Sequence, residues 1–201
     1  MRSNVRQKIA EEAARIMLDQ GETDYHNAKQ KAAAKSSVSD KDDLPSNQEI
    51  EDQIKLRQTL FDPGAQKELI RLKRLEAQKA MTFFQDFNPL LAGPVMEGTA
   101  SKYSPIEIHL FVDAVEEVTI FLMEHDVPFQ IIDRRLRMGK NEELTVPVLS
   151  FYAHDQLVEV SVFQPKYRSH SPLSPVDGAP QRRINRDKLQ KLLDKSKSEQ
   201  R

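Results

Sequence analysis

Gly93-Pro-Val-Met-Glu-Gly98-Thr-Ala-Ser-Lys-Tyr-Ser104-Pro-Ile-Glu107-Ile-His109-Leu-Phe-Val-Asp113 is the stretch on which the reading of this chain turns. Apolar residues from Leu90 onward lead into Gly98-Thr99, and a short polar connection leads on to Ser104-Pro105. The pattern predicts a strand over 90–98, a glycine turn at Gly98-Thr99 and a second strand over 106–112. Side chains alternate across a strand, so Ile106, Ile108, Leu110 and Val112 share one face, which is core. Glu107 and His109 share the other face, closed by Phe111.

Downstream, Ala114 to His125 has helical spacing, with Val115, Val118, Ile120, Phe121 and Leu122 apolar. Pro128 opens a strand through Phe129, Ile131, Ile132 and Leu136. Val146–Tyr152 and Leu157–Phe163, joined by Ala153-His-Asp-Gln156, read as a hairpin. This order predicts an α+β fold, a mixed sheet of about five strands covered by helices and preceded by a helical N-terminal segment. Pro165–Arg183 is rich in proline and serine and reads as a turn or flexible loop around Pro175-Val-Asp-Gly178. A basic helix from Asp187 to Lys197 follows.

Upstream, Ala10, Ala13, Ala14, Met17 and Leu18 form a small-residue stripe on a helix that Gly21 ends. Thr23 is placed to cap a second helix, from Asp24 to Lys35, and the two predict a helical hairpin. Ser36–Pro45 reads as linker, and Ser46-Asn-Gln-Glu49 is a capping-box pattern opening a helix with Ile50, Ile54 and Leu60. Asp62-Pro63-Gly64 breaks it, and a long helix over 65–87 follows. Its apolar face is Leu69, Leu72, Leu75, Ala80, Phe83 and Phe84, and its outer face holds Lys67, Arg71, Lys73, Arg74 and Lys79. The expected organisation is a helical segment at 1–62, the α+β domain at 63–165, and a loop with a basic helix at 166–201.

Composition narrows the function classes. The chain has 201 residues and no cysteine, which excludes disulfides, thiolate nucleophiles and cysteine zinc sites. A formal net charge of −1 gives no global field toward nucleic acid or an acidic membrane. No apolar run reaches the length of a membrane span, and the N-terminus lacks the apolar core of a secretory signal, so a cytoplasmic protein is expected. Met138-Gly-Lys-Asn141 lacks the glycines and hydroxyl residue of a phosphate loop, and the five histidines contain no close metal-binding pair.

The strand, glycine turn and second strand resemble the signature of the nucleotidyltransferase superfamily, the DNA polymerase β-like fold. There a Gly-Ser turn follows one strand and Ser-Asp-x-Asp opens the next. Here Gly98-Thr99 stands for Gly-Ser, and Ser104-Pro105-Ile106-Glu107 stands for Ser-Asp-x-Asp. The N-terminal pattern from Ile9 to Met17, Asp24-Tyr25 and Ala28-Lys29, with Pro175-Val-Asp-Gly178, also resembles bacterial proteins labelled nucleotidyltransferase-like. The resemblance implies metal-dependent transfer of a nucleotidyl group from a nucleotide triphosphate, with a nucleotide or nucleic-acid end as acceptor. Mg²⁺ or Mn²⁺ would be held by carboxylates, because hard cations take oxygen ligands. Pro105 replaces the first of them, which leaves Glu107, with His109 next along the same face. The superfamily's third carboxylate falls on Glu159, between apolar residues of a later strand.

The same resemblance places Gly98, Thr99 and Ser104 against the triphosphate and gives Arg134 or Arg135 the task of neutralising it. Arg134, Arg135, Arg137 and Lys140, with Arg182, Arg183 and Arg186 and the long helix's lysines, read either as a phosphate-binding surface or as a solvated charged face balanced by nearby acids. The alternative function is a non-catalytic nucleotide- or RNA-binding relative, and a third is a structural module that takes a protein partner through the N-terminal helices. Pro105 favours these two.

Overall fold

The computed structural model describes residues 2–36, 44–61 and 63–198. These form two compact units. One comprises the described residues up to Leu69 with Thr99–Ser104 and Pro175–Gly178; the other comprises Ile70–Gly98, Pro105–Ser174 and the described residues from Ala179. The 63–165 domain expected from sequence therefore gains most of the C-terminal segment and gives up its first helical turns and the 99–104 connection.

The first unit is built on α1 (Arg2–Gln20), α2 (Tyr25–Lys35) and α3 (Asn47–Phe61). Its core is small-residue packing: Ile9, Ala10, Ala13, Ala14 and Ile16 of α1 meet Ala28 and Ala32 of α2 and Ile50 and Ile54 of α3. Met17 and Leu18, expected in the stripe, pack only at its margin. The cap of α2 is Asp24 rather than Thr23; its side chain accepts the Asn27 N–H at 2.8 Å. The capping box of α3 forms as expected, with Glu49 N–H donating to Ser46 Oγ at 3.1 Å and Ser46 N–H donating to Glu49 Oε2 at 2.6 Å. The Glu49 carboxylate also takes the Arg6 guanidinium at 2.7 Å, which ties α1 to the start of α3. Most of the expected linker, 37–43, and Asp62 of the expected helix break lie outside the described residues. Leu44 packs against the helical core.

Helix α4 (Pro63–Phe83) starts with proline at its first turn, where the missing N–H costs nothing. It is followed by a 3₁₀ turn, Gln85–Phe87. Three positions, Leu72, Lys73 and Arg74, depart from the expected faces. Leu72 is exposed, and Lys73 is buried, its ammonium donating to Gln156 Oε1 at 2.8 Å.

In the second unit a five-stranded mixed sheet runs β1 (Leu90–Ala92), β2 (Ile106–Phe111), β5 (Gln156–Phe163), β4 (Glu143–Ala153), β3 (Gln130–Arg137). The β2–β5 pair is parallel and the others antiparallel, so the chain is α+β, as expected. The second strand, expected over 106–112, ends one residue early at Phe111, and the expected strand that shrinks most is the first. It ends at Ala92, and α5 (Gly93–Glu97) takes the rest. One sheet face holds Leu91, Ile106, Ile108, Leu110, Val158, Val160 and Leu149, all with no exposed surface. It is covered by α4 and α6 (Val115–Glu124), whose junction is a ring cluster: Phe84 lies 6.0 Å from Phe151 and 5.8 Å from Phe121.

The second face is closed by the segment after β5. Phe111, Val146, Val148 and Phe163 form its buried centre, with Leu90, Leu136, Leu144 and Tyr167 around them. The stretch expected to be a flexible loop is a strap. At the β3 edge, Leu173 N–H donates to Arg137 O at 2.6 Å. At the β1 edge, Ile184 and Leu91 exchange hydrogen bonds of 2.8 and 2.9 Å. Helix α7 (Arg186–Ser198) then buries Leu189 and Leu193. Among the described residues, no helix is long and apolar enough to cross a membrane.

The capping box sets a stability test. Ser46→Ala should cost about 1 kcal/mol in urea denaturation, with the m-value unchanged. The Arg6 guanidinium holds Glu49 down at about 2, so its contribution is complete above about pH 4.5 and is lost as pH falls through about 2. Acid unfolding of Arg6→Ala should accordingly begin at a higher pH than in the parent chain.

Candidate functional site

The parallel pairing of β2 with β5 sets Glu107 directly beside Glu159, and His109 beside Ser161. Residues in register on neighbouring strands point to the same side, so both carboxylates stand on the face that the strap covers. Adjacent strands are about 4.8 Å apart, which puts the two acids within reach of one another. Pro105 lies just before the strand and supplies no ligand.

The glycine that serves this pair is Gly93. Ala92 is the register partner of Glu107, and Gly93 follows with φ +68°, in the left-handed region. A Cβ there would come within 2.5 Å of the Glu107 carboxyl group. Only glycine lets the backbone turn here with the carboxylate packed against it. The turn after the first strand is therefore Gly93-Pro94, not Gly98-Thr99. Gly98 instead ends α5 with φ +87°, and its N–H is spent on Pro94 O at 2.8 Å. That amide is not available to a triphosphate. Thr99 and Ser104 belong to the first unit, where Thr99 O accepts from Gln58 at 2.9 Å and Ser104 Oγ accepts the Ser101 N–H at 2.9 Å.

Charge at the pair is balanced by arginine. Arg134 Nη2 donates to Glu159 Oε2 at 2.8 Å. Arg135, the next residue on β3, falls on the opposite face and faces Thr145 in register, so only one of the two arginines serves the site. Burial first, and then the Glu159 charge, push Glu107 up to about 7; Arg134 and a hydrogen bond from Gln181 pull the other way, and Glu97 adds to the rise. His109 is buried, with its ring 4.7 Å from that of Phe163 and Nδ1 without a partner. Burial, and then Arg183 and Arg134, lower it to about 3, so it is neutral at ordinary pH.

The single cation expected between Glu107 and Glu159 finds no third protein carboxylate or imidazole placed to hold it among the described residues. Glu159 is engaged by a guanidinium, Pro105 offers no side-chain oxygen, and the His109 ring packs on that of Phe163.

Gln181 also lines a cleft of about 730 Å³ together with Arg74, Glu97, Arg168, Arg182 and Arg183. Arg74, expected on an outer face, instead reaches under α5, with Nε donating to Val95 O at 3.1 Å and Nη2 to Met96 O at 2.9 Å. Gln181 and Arg168 were not legible as site residues, because no local motif marks a position that a strap brings back from far along the chain. No family model, curated protein or solved structure matches this chain.

Two tests follow from the Gly93–Glu107 approach and from the Glu107 shift. Gly93→Ala should destabilise the protein by about 1–3 kcal/mol. Part of that loss should vanish in the Glu107→Ala background, which removes the clash but not the positive φ, and a double-mutant cycle measures the difference. Because the folded-state value of Glu107 is raised, its protonation favours the fold. That contribution is full below about pH 4.5 and is lost as pH rises through about 7. Glu107→Gln, fixed neutral, should therefore melt above the parent at about pH 8, with the gap closing toward about pH 5.

Proposed function

We propose that this protein is a divergent nucleotidyltransferase-like protein that binds a nucleotide without transferring it. The observation that carries this reading is the Arg134–Glu159 ion pair, made on a carboxylate that stands in register with Glu107. The arrangement of strand, glycine turn, short helix and second strand supports the likeness to the superfamily, with Gly93-Pro94 now the turn that matches it. In a transferase, two carboxylates would gather the cations that carry the chemistry. Here a proline stands in place of one, and a guanidinium compensates a neighbouring acid. A fixed cation of this kind can position a phosphate but cannot activate an attacking oxygen. The cleft beside the pair adds further guanidinium groups, which suits an anionic ligand.

A calorimetric titration of ATP, with and without Mg²⁺ or Mn²⁺, tests the reading. Binding should not require the metal. Arg134→Ala should weaken it several-fold, while Arg135→Ala should leave it unchanged, and Glu107→Gln should alter it little. Metal-dependent incorporation of nucleotide that is lost in Glu107→Gln would overturn the reading in favour of a transferase. Absence of binding by any nucleotide would overturn it in favour of a structural module.

A further inference from the structure

We infer that the cleft under the C-terminal strap is an oligophosphate site, built to take a pyrophosphate group whether free or carried by a nucleotide. This goes beyond the proposed nucleotide binding, since it requires neither base, sugar nor the Glu107–Glu159 pair. Three observations carry it.

The first is the charge of the lining. Arg74, Arg168, Arg182, Arg183 and Lys188 line the cleft, against the one carboxylate of Glu97. Glu97 lies 3.8 Å from Arg182, and among the described residues no carboxylate makes an ion pair with Arg168, Arg183 or Lys188. The second is the crowding of two cations on one ring. The guanidinium carbon of Arg168 is 5.4 Å from the centroid of Phe111, and that of Arg183 is 5.2 Å from it. Ring contact favours each guanidinium singly but leaves the repulsion between them in place. An anion between them removes it.

The third is an unfilled donor. Arg183 is tethered through Nη2, which donates to Tyr167 O and Arg168 O, both at 3.0 Å. Its Nη1 is buried and has no acceptor among the described residues. A buried donor without a partner costs free energy, so an acceptor that the protein itself does not supply is favoured there. Guanidinium groups held in fixed orientation match the paired oxygens of a phosphate better than an ammonium does. Arg168 is held likewise, its Nη1 donating to Asn88 O at 2.8 Å. Backbone anchors on both arginines mean that little side-chain freedom remains to be lost on binding.

Calorimetry with inorganic pyrophosphate as the probe tests this directly, with sulfate as a divalent control of lower charge. Pyrophosphate should bind more tightly than sulfate, and its affinity should fall as salt rises. Arg183→Gln should weaken it by at least about tenfold, the loss expected for charged hydrogen bonds. Arg183→Lys should not restore it. Because Arg183 also anchors the strap, the exposed pair Arg182→Gln with Lys188→Gln provides a second test, expected to weaken binding without lowering the melting temperature. Arg135→Gln, on the other face of the sheet, should have no effect. If pyrophosphate does not bind, or binds with the same affinity in all these variants, the inference is overturned, even where a nucleotide still binds elsewhere. If pyrophosphate binds and ATP binds no more tightly, the oligophosphate site stands and the nucleotide reading fails.

Discussion

The parallel pairing of two strands, Ile106–Phe111 and Gln156–Phe163, is the constraint from which the site follows. Parallel strands need a crossover, and here the chain between them supplies a helix and two further strands of the same sheet. The cost of that long connection is offset by burial on both faces, one under helices and one under the strap. Register then does the rest. It places Glu107 beside Glu159, a repulsive arrangement that the core residues Ile106, Ile108, Val158 and Val160 hold in place from the other side of the same strands. Slipping the register by one residue would relieve the two acids only by turning those apolar side chains out of the core.

The pair therefore exists in a state of managed conflict. Arg134 compensates Glu159, burial favours a proton on Glu107, and Gln181 contributes a hydrogen bond. Each of these is a way of living with two adjacent acids without a bound cation. Their combined presence is what supports the proposed reading of an anion bound nearby.

How much of this was legible from sequence varied with the range of the determining contact. The second strand was, because apolar–polar alternation over Ile106–Leu110 fixes both its type and its faces. The capping box at Ser46 and Glu49 was, because it closes within one helical turn. The turn glycine was misplaced because Leu90 to Met96 is almost wholly apolar and resembles one unbroken strand. The signal against that was Pro94, which fits the first turn of a helix and fits a central strand poorly. That Arg134 and Arg135 part company follows from strand alternation, but which of them meets Glu159 depends on pairing through β4, and no local pattern encodes that. Lys73 was read as solvated because lysine almost never goes inside unpaired; its partner, Gln156, lies at the start of a distant strand.

The strap has a consequence for the order in which this molecule can be made. Its pairing of Ile184 with Leu91 gives the first strand a neighbour on its outer side, and that neighbour is synthesised long after the strand itself. Until then Leu90–Ala92 is an open edge, without the cover that Ile184 gives it. The helical core of the first unit, whose members are complete by Ile54, can assemble on the ribosome. The sheet is complete only once residue 184 has been made. A chain cut short at residue 181 carries both acids, Arg134 and Arg168, but lacks Arg182, Arg183 and the edge cover that Ile184 gives. Such a product invites strand addition from another copy and becomes a substrate for quality control.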